Sequence, residues 1–147
     1  MHKTRVACDT GILFSALFFG GNPGKILEAV KQNRATLFMS EYIRDELRQV
    51  IISKGLSTSA LDALLSLDNV RIITDRAYDT AENFNLAKEF VPDAKDRPVY
   101  AFFLELARKN ACDVLVSSDK HLLQTNPKSP LYNKILTPAQ LIEREEI

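Results

Sequence analysis

Apolar residues along this chain come in two textures: short unbroken runs, and longer stretches in which they return every three or four positions. The first texture reads as buried strands and the second as helices with one face turned inward. Thr4–Cys8 is the first run, and Asp9-Thr10-Gly11 turns it into an apolar helical segment over residues 12–19. Gly20-Gly21-Asn22-Pro23-Gly24 is the strongest break, with Pro23 suited to the first turn of a helix carrying Ile26, Leu27 and Val30. A second strand over 35–39 stops at Ser40, a good N-cap for a helix over about 41–53, in which Glu41 suits the positive end of the dipole. A small helix over 56–67, a third strand over 70–73 and a helix over 76–90 follow. Residues 91–98 connect to a further helix that runs to about Lys109, and residues 113–117 give a fourth strand with Asp119 just past it. A loop over 126–130, a short strand over 134–136 and a closing helix after Pro138 complete the reading.

Strands alternating with helices predict an α/β domain: a three-layer α/β/α sandwich with a mainly parallel central sheet, because parallel strands need crossover connections. In such sheets ligands bind outside the carboxyl ends of the strands, where the strand order reverses. The 147 residues are expected to form one domain over 1–147. At this size folding removes roughly 68–70% of the unfolded chain's surface from water, so one core suffices without disulfides or a structural metal. Cys8 and Cys112 fit no zinc-site spacing and each adjoins an apolar run, which reads as two buried free thiols. The 19 basic and 19 acidic residues cancel to a net charge of zero. That balance excludes the broad basic field by which many nucleic-acid binders grip phosphate, so a polyanionic partner needs local help. The longest apolar run, 12–19, is interrupted by Ser15 and falls far short of the roughly 20 residues a spanning helix requires. The N-terminal residues show no export signal, and a cytoplasmic protein is expected.

Candidate chemistry lies in the acids. Asp9 directly follows the first strand and Asp119 follows the fourth, although an Asp after a strand is also an ordinary helix cap. At about 100° per residue, the apolar stripe of the third predicted helix runs through Ile43, Leu47, Val50 and Ile51. Glu46 lies beside that stripe, whereas Glu41 and Asp45 fall on the solvated side. An inward carboxylate is costly unless it is ion-paired, reaches water at an edge or binds a metal. Asp96 shares a side with Val99, Phe103 and Ala107 at the start of its helix, where it equally suits a cap; Asp93 is the less favoured neighbour. Four carboxylates with no His or Cys among them match neither a nucleophilic triad nor a zinc site. Oxygen ligands suit Mg²⁺ or Mn²⁺, and such an ion converts a pocket that repels a phosphodiester into one that attracts it and activates water there. Arg44, Arg48, Lys54, Lys95, Arg97, Lys120 and His121 lie near these motifs as candidates for a phosphate track.

With these residues in place the sequence resembles the PIN-domain family, the metal-dependent ribonucleases that include the toxins of VapC-type toxin–antitoxin pairs. The resemblance spans nearly the whole chain. It is carried by Val6-Ala7-Cys8-Asp9-Thr10 with Leu13-Phe14-Ser15-Ala16-Leu17, by Ser40 through Glu46-Leu47, by Asp93-Ala94-Lys95-Asp96, and most of all by the block from Asp113-Val114-Leu115-Val116-Ser117-Ser118-Asp119 to Lys120-His121-Leu122-Leu123. It implies that Asp9, Glu46, Asp96 and Asp119 form an acidic metal-binding and catalytic quartet, with Thr10 and Ser117 lining the same pocket. It further implies RNA as substrate, an antitoxin protein as partner, and a homodimer. Gly11 and Arg97-Pro98 stand where many relatives carry Asn; neither departure removes a ligand carboxylate.

The expected activity is therefore metal-dependent endoribonucleolytic cleavage by the toxin half of a two-protein module. The alternative is a non-catalytic RNA-binding or complex-forming module, against which the four retained acids count. A phosphatase using Asp9 as covalent nucleophile ranks last, because Gly11 stands where its second Asp would act as acid and base.

Overall fold

Val6, Ala7, Leu115 and Val116 have no exposed surface, so the segments carrying them are covered on both faces and can only be interior strands of a sheet flanked by helices. The computed structural model describes residues 3–74 and 76–145. Along them run β1 (Thr4–Cys8), α1 (Thr10–Phe18), α2 (Gly21–Lys31), β2 (Ala35–Ser40), α3 (Glu41–Ser53), α4 (Ser59–Leu65), β3 (Val70–Ile73), α5 (Ala81–Phe90), a 3₁₀ turn (Ala94–Asp96), α6 (Arg97–Arg108), β4 (Val114–Val116), α7 (Lys120–Leu123), β5 (Ile135–Leu136) and α8 (Pro138–Glu145). The five strands form one all-parallel sheet in the order β3-β2-β1-β4-β5, with Val6 opposite both Leu37 and Val114.

That order explains the layers. The chain steps outward from β1 to β2 to β3, then returns past β1 to add β4 and β5 on the other side. Right-handed crossovers put the helices of the outward steps on one face and α5 and α6 on the other. Accordingly α1 packs on α2 and α3, α8 on α2, and α5 on α6. The expected three-layer α/β/α architecture is thus present, and the order reverses between β1 and β4. Helix α6 is the best buried, hiding Val99, Tyr100, Phe102, Phe103 and Leu106 among others. Each such large side chain contributes about 1.5–3 kcal/mol on leaving water. The Tyr100 hydroxyl bonds to the buried Ser129 hydroxyl and ties the C-terminal loop to α6. Both thiols are free and buried, and burial pushes Cys8 well above its ordinary range and Cys112 up to about 12. Among the described residues no helix is long and apolar enough to cross a membrane.

Three boundaries differ most from the sequence expectation. The glycine-rich break is short: Gly20 and Gly21, at φ 75° and 63°, make the turn, and α2 begins at Gly21 with Pro23 in its first turn. Helix α5 starts at Ala81 rather than 76, because Thr80 Oγ1 accepts the Asn83 N–H at 3.1 Å while Arg76 to Asp79 close their own turn. Helix α4 is shortened to Ser59–Leu65 by the preceding serines, where Ser57 Oγ accepts the Ser59 N–H at 3.2 Å.

Candidate metal centre

The reversal between β1 and β4 leaves a gap at the carboxyl ends of those strands, and the acids enter it from four directions. Asp9 leaves β1 as the cap of α1, its Oδ1 accepting the Ile12 N–H at 2.9 Å and its Oδ2 the hydroxyl of the fully buried Ser117. Asp119 leaves β4 two residues past Ser117; its own N–H donates to Ser117 Oγ at 3.0 Å and its Oδ1 accepts the His121 N–H at 2.8 Å. Ser117 therefore locks the two strand-end acids to each other. Glu46 reaches in from α3, where Thr10 Oγ1 donates to Oε1 and the Tyr42 hydroxyl lies 3.4 Å from Oε2. Asp96 closes the group from the 3₁₀ turn ahead of α6. Asp9, Thr10, Glu46, Asp93, Asp96 and Asp119 line one cleft of about 330 Å³. Ser117 lies behind it, touching the cleft through Asp9 and Asp119.

Among the described residues no Lys or Arg forms an ion pair with any of these acids. Carboxylate oxygens of Asp93, Asp96 and Asp119 lie within 4.8 Å of one another. Asp96 Oδ2 is enclosed and has no hydrogen-bond partner, and Asp96 makes no capping bond to α6 although it stands at the cap position. Desolvation, the neighbouring charge of Asp119 and a hydrogen bond shared with it, and the charges of Asp93 and Asp9 hold the Asp96 carboxyl up at about 7. Burial also raises Asp9, against the opposing hydrogen bonds from Ser117 and Ile12. A carboxyl with an enclosed, unpartnered oxygen, clustered with two further carboxyls, is the electrostatic complement of a hard cation, so the residues present fit a divalent ion.

The structure also sorts the other residues singled out in the sequence. Asp93, the less favoured acid, joins Asp96 and Asp119, because the 3₁₀ turn it caps brings residues three apart onto one side. Lys95 lines the cleft, and no other cation is among the described residues lining it. Arg97 instead binds the carbonyls of Val91 and Pro92 at 2.9 and 3.2 Å, pinning the loop that carries Asp93. Arg44 pairs with Glu41 and Asp45, and Arg48 with Asp62, as expected of a solvated helix face. Tyr42, absent from the sequence expectation, joins the acidic elements: besides Glu46, its hydroxyl lies 3.5 Å from the Lys95 carbonyl. Gly11 is not demanded by space, since a Cβ there would stand 3.8 Å from Asp9 Oδ1, an ordinary contact.

The comparison with curated proteins gave no match. A family model, that of the PIN domain, matches residues 5–121, a span that runs from β1 into α7 and takes in every acid of the cleft. PIN domains have a nuclease-type fold and in general act with divalent metal ions. With that match over most of its length and the parallel sheet that accompanies it, the chain belongs to the PIN-domain family.

Proposed function

We propose that this chain is a metal-dependent endoribonuclease in which Asp9, Glu46, Asp96 and Asp119, with Asp93 beside them, hold Mg²⁺ or Mn²⁺. The observation that carries the reading is the cluster of Asp93, Asp96 and Asp119, whose carboxylate oxygens lie within 4.8 Å of one another, together with the enclosed Asp96 Oδ2, which has no hydrogen-bond partner. A dication bound there supplies an activated water and neutralises charge on the phosphodiester. The chain's own contribution is placement. Thr10 and Tyr42 orient the two oxygens of Glu46, Ser117 fixes Asp9 relative to Asp119, and Lys95 on the lining offers a charge-assisted hydrogen bond to a phosphate oxygen. Single-stranded RNA incubated with Mn²⁺ should be cut internally, chelation should stop the cutting, and Asp119→Asn should slow it by roughly a hundredfold or more. Cleavage indifferent to chelator and to Asp9→Asn would refute the proposal.

The resemblance carried by the Asp113 to Leu123 block supports a finer reading: a cytoplasmic toxin, working as a homodimer and restrained by an antitoxin protein. Expression of the chain should then arrest growth, Asp9→Asn should abolish the arrest, and co-expression of a neighbouring small protein should relieve it. Growth unaffected by the intact chain would remove the toxin role and leave the nuclease to the cleavage assay.

A further inference from the structure

A second cleft, of about 370 Å³, opens beside the metal centre, between α3 and the chain leaving β3. Glu46 lines both clefts, and Tyr42 is the partition: it lines the second, while its hydroxyl reaches Glu46 and the Lys95 carbonyl, both on the lining of the first. The other walls include Tyr78, Ile73, Gln49 and Thr74. Tyr78 is buried and held edge-on by Phe102 at a centroid distance of 5.6 Å. Of the acids among the described lining residues, Glu41 and Asp45 are engaged by Arg44 at 3.5 and 2.9 Å, and Glu46 is turned to Thr10 and Tyr42. Among the described residues the Gln49 amide has no hydrogen-bond partner, and the Arg76 guanidinium, 74% exposed, has only a 4.0 Å contact with Asp79.

Building on the ribonuclease reading, we propose that this cleft receives the base of a nucleotide adjoining the phosphodiester held at the metal centre. Aromatic and aliphatic walls take the faces of a base, Gln49 and Thr74 meet its edge, and Arg76 is placed for the phosphate beyond it. The volume lies at the low end of the range for small-molecule sites, which suits one nucleotide. A paired base cannot enter, so the cleft selects single strands. It also answers the charge problem: with no net positive charge, the chain needs a grip on RNA that does not depend on phosphate, and stacking supplies it.

The test uses an RNA hexamer with one central 2-aminopurine and a twin that is abasic at that position, each titrated with the protein in Ca²⁺. The base-bearing hexamer should bind roughly five- to tenfold more tightly, with its fluorescence quenched by stacking. Gln49→Ala and Thr74→Leu, both at exposed positions, should weaken that hexamer by a similar factor, diminish the quench and leave the abasic twin unaffected. Equal binding of the two hexamers by the parent chain, or equal losses for both in the variants, would overturn the base site. Hydrolysis of bis(p-nitrophenyl) phosphate with Mn²⁺, an ester without a base, tests the metal centre separately. Hydrolysis of this ester with equal hexamer binding refutes the subsite alone, and base-dependent binding without hydrolysis refutes the nuclease alone.

Discussion

Asp96 concentrates the argument at the level of single residues, because its enclosed oxygen lacks a donor and its carboxyl is held at about 7 against an ordinary 3.8. Between those two values the native chain keeps a proton that the unfolded chain has released. Stability without metal is therefore fully present at low pH and declines as pH rises through about 7. The raised carboxyl of Asp9 acts in the same direction. The melting temperature of metal-free protein should fall by several degrees between about pH 5.5 and pH 8. Mn²⁺ should recover most of the loss at the higher pH and little at the lower. Asp96→Asn should flatten the profile and melt higher than the parent at the higher pH without metal; a variant with the parent's slope would remove Asp96 as its source. Gly11 offers a second test. It lies inside α1 with ordinary room around its Cα, so Gly11→Ala should raise stability by about 0.5–1 kcal/mol in urea unfolding.

Secondary-structure elements here double as ligand holders. Asp9 caps α1 while presenting its carboxylate to the cleft, so charge and cap can be separated by substitution. Asp9→Asn should keep the cap and lose metal, whereas Asp9→Ala should in addition cost about 1 kcal/mol of stability. Ser40, whose Oγ accepts the Ile43 N–H at 3.1 Å, starts the helix that carries Glu46, and Ser40→Ala should cost a similar amount in denaturant unfolding. Both caps were legible in the sequence, as were β1, β3 and the inward edge of α3, because each is written in local residue type and period. The first turn of α5 was not, since Arg76 to Asp79 carry helix-compatible residues and Thr80 decides the start through its hydroxyl. Nor was it legible that Asp93 joins Asp96, because that follows from the tightness of the turn between them. Tyr42 left a readable trace, standing four residues before Glu46 on one helix face. Arg97 left none, because its partners are the carbonyls of Val91 and Pro92 and not side chains.

For the whole molecule, sheet topology and charge balance act together. The order β3-β2-β1-β4-β5 brings acids more than a hundred residues apart in sequence to one rim, yet the net charge of zero gives no long-range pull on RNA. Among the described residues Lys95 and Arg76 are the cations lining the two clefts, and each phosphate contact to a single strand contributes roughly 0.7 to the logarithmic salt slope. RNA affinity should consequently fall with salt at a slope of about −1 to −2, far shallower than that of a basic binder. A much steeper slope in anisotropy titrations would place the RNA on another surface. The most direct measurement is anomalous diffraction from crystals grown with Mn²⁺: the account predicts a peak in the cleft lined by Asp9, Glu46, Asp93, Asp96 and Asp119, bound by the carboxylates of Asp96 and Asp119. Full Mn²⁺ exposure with no peak in that cleft, or a peak held only by acids outside it, would contradict the account.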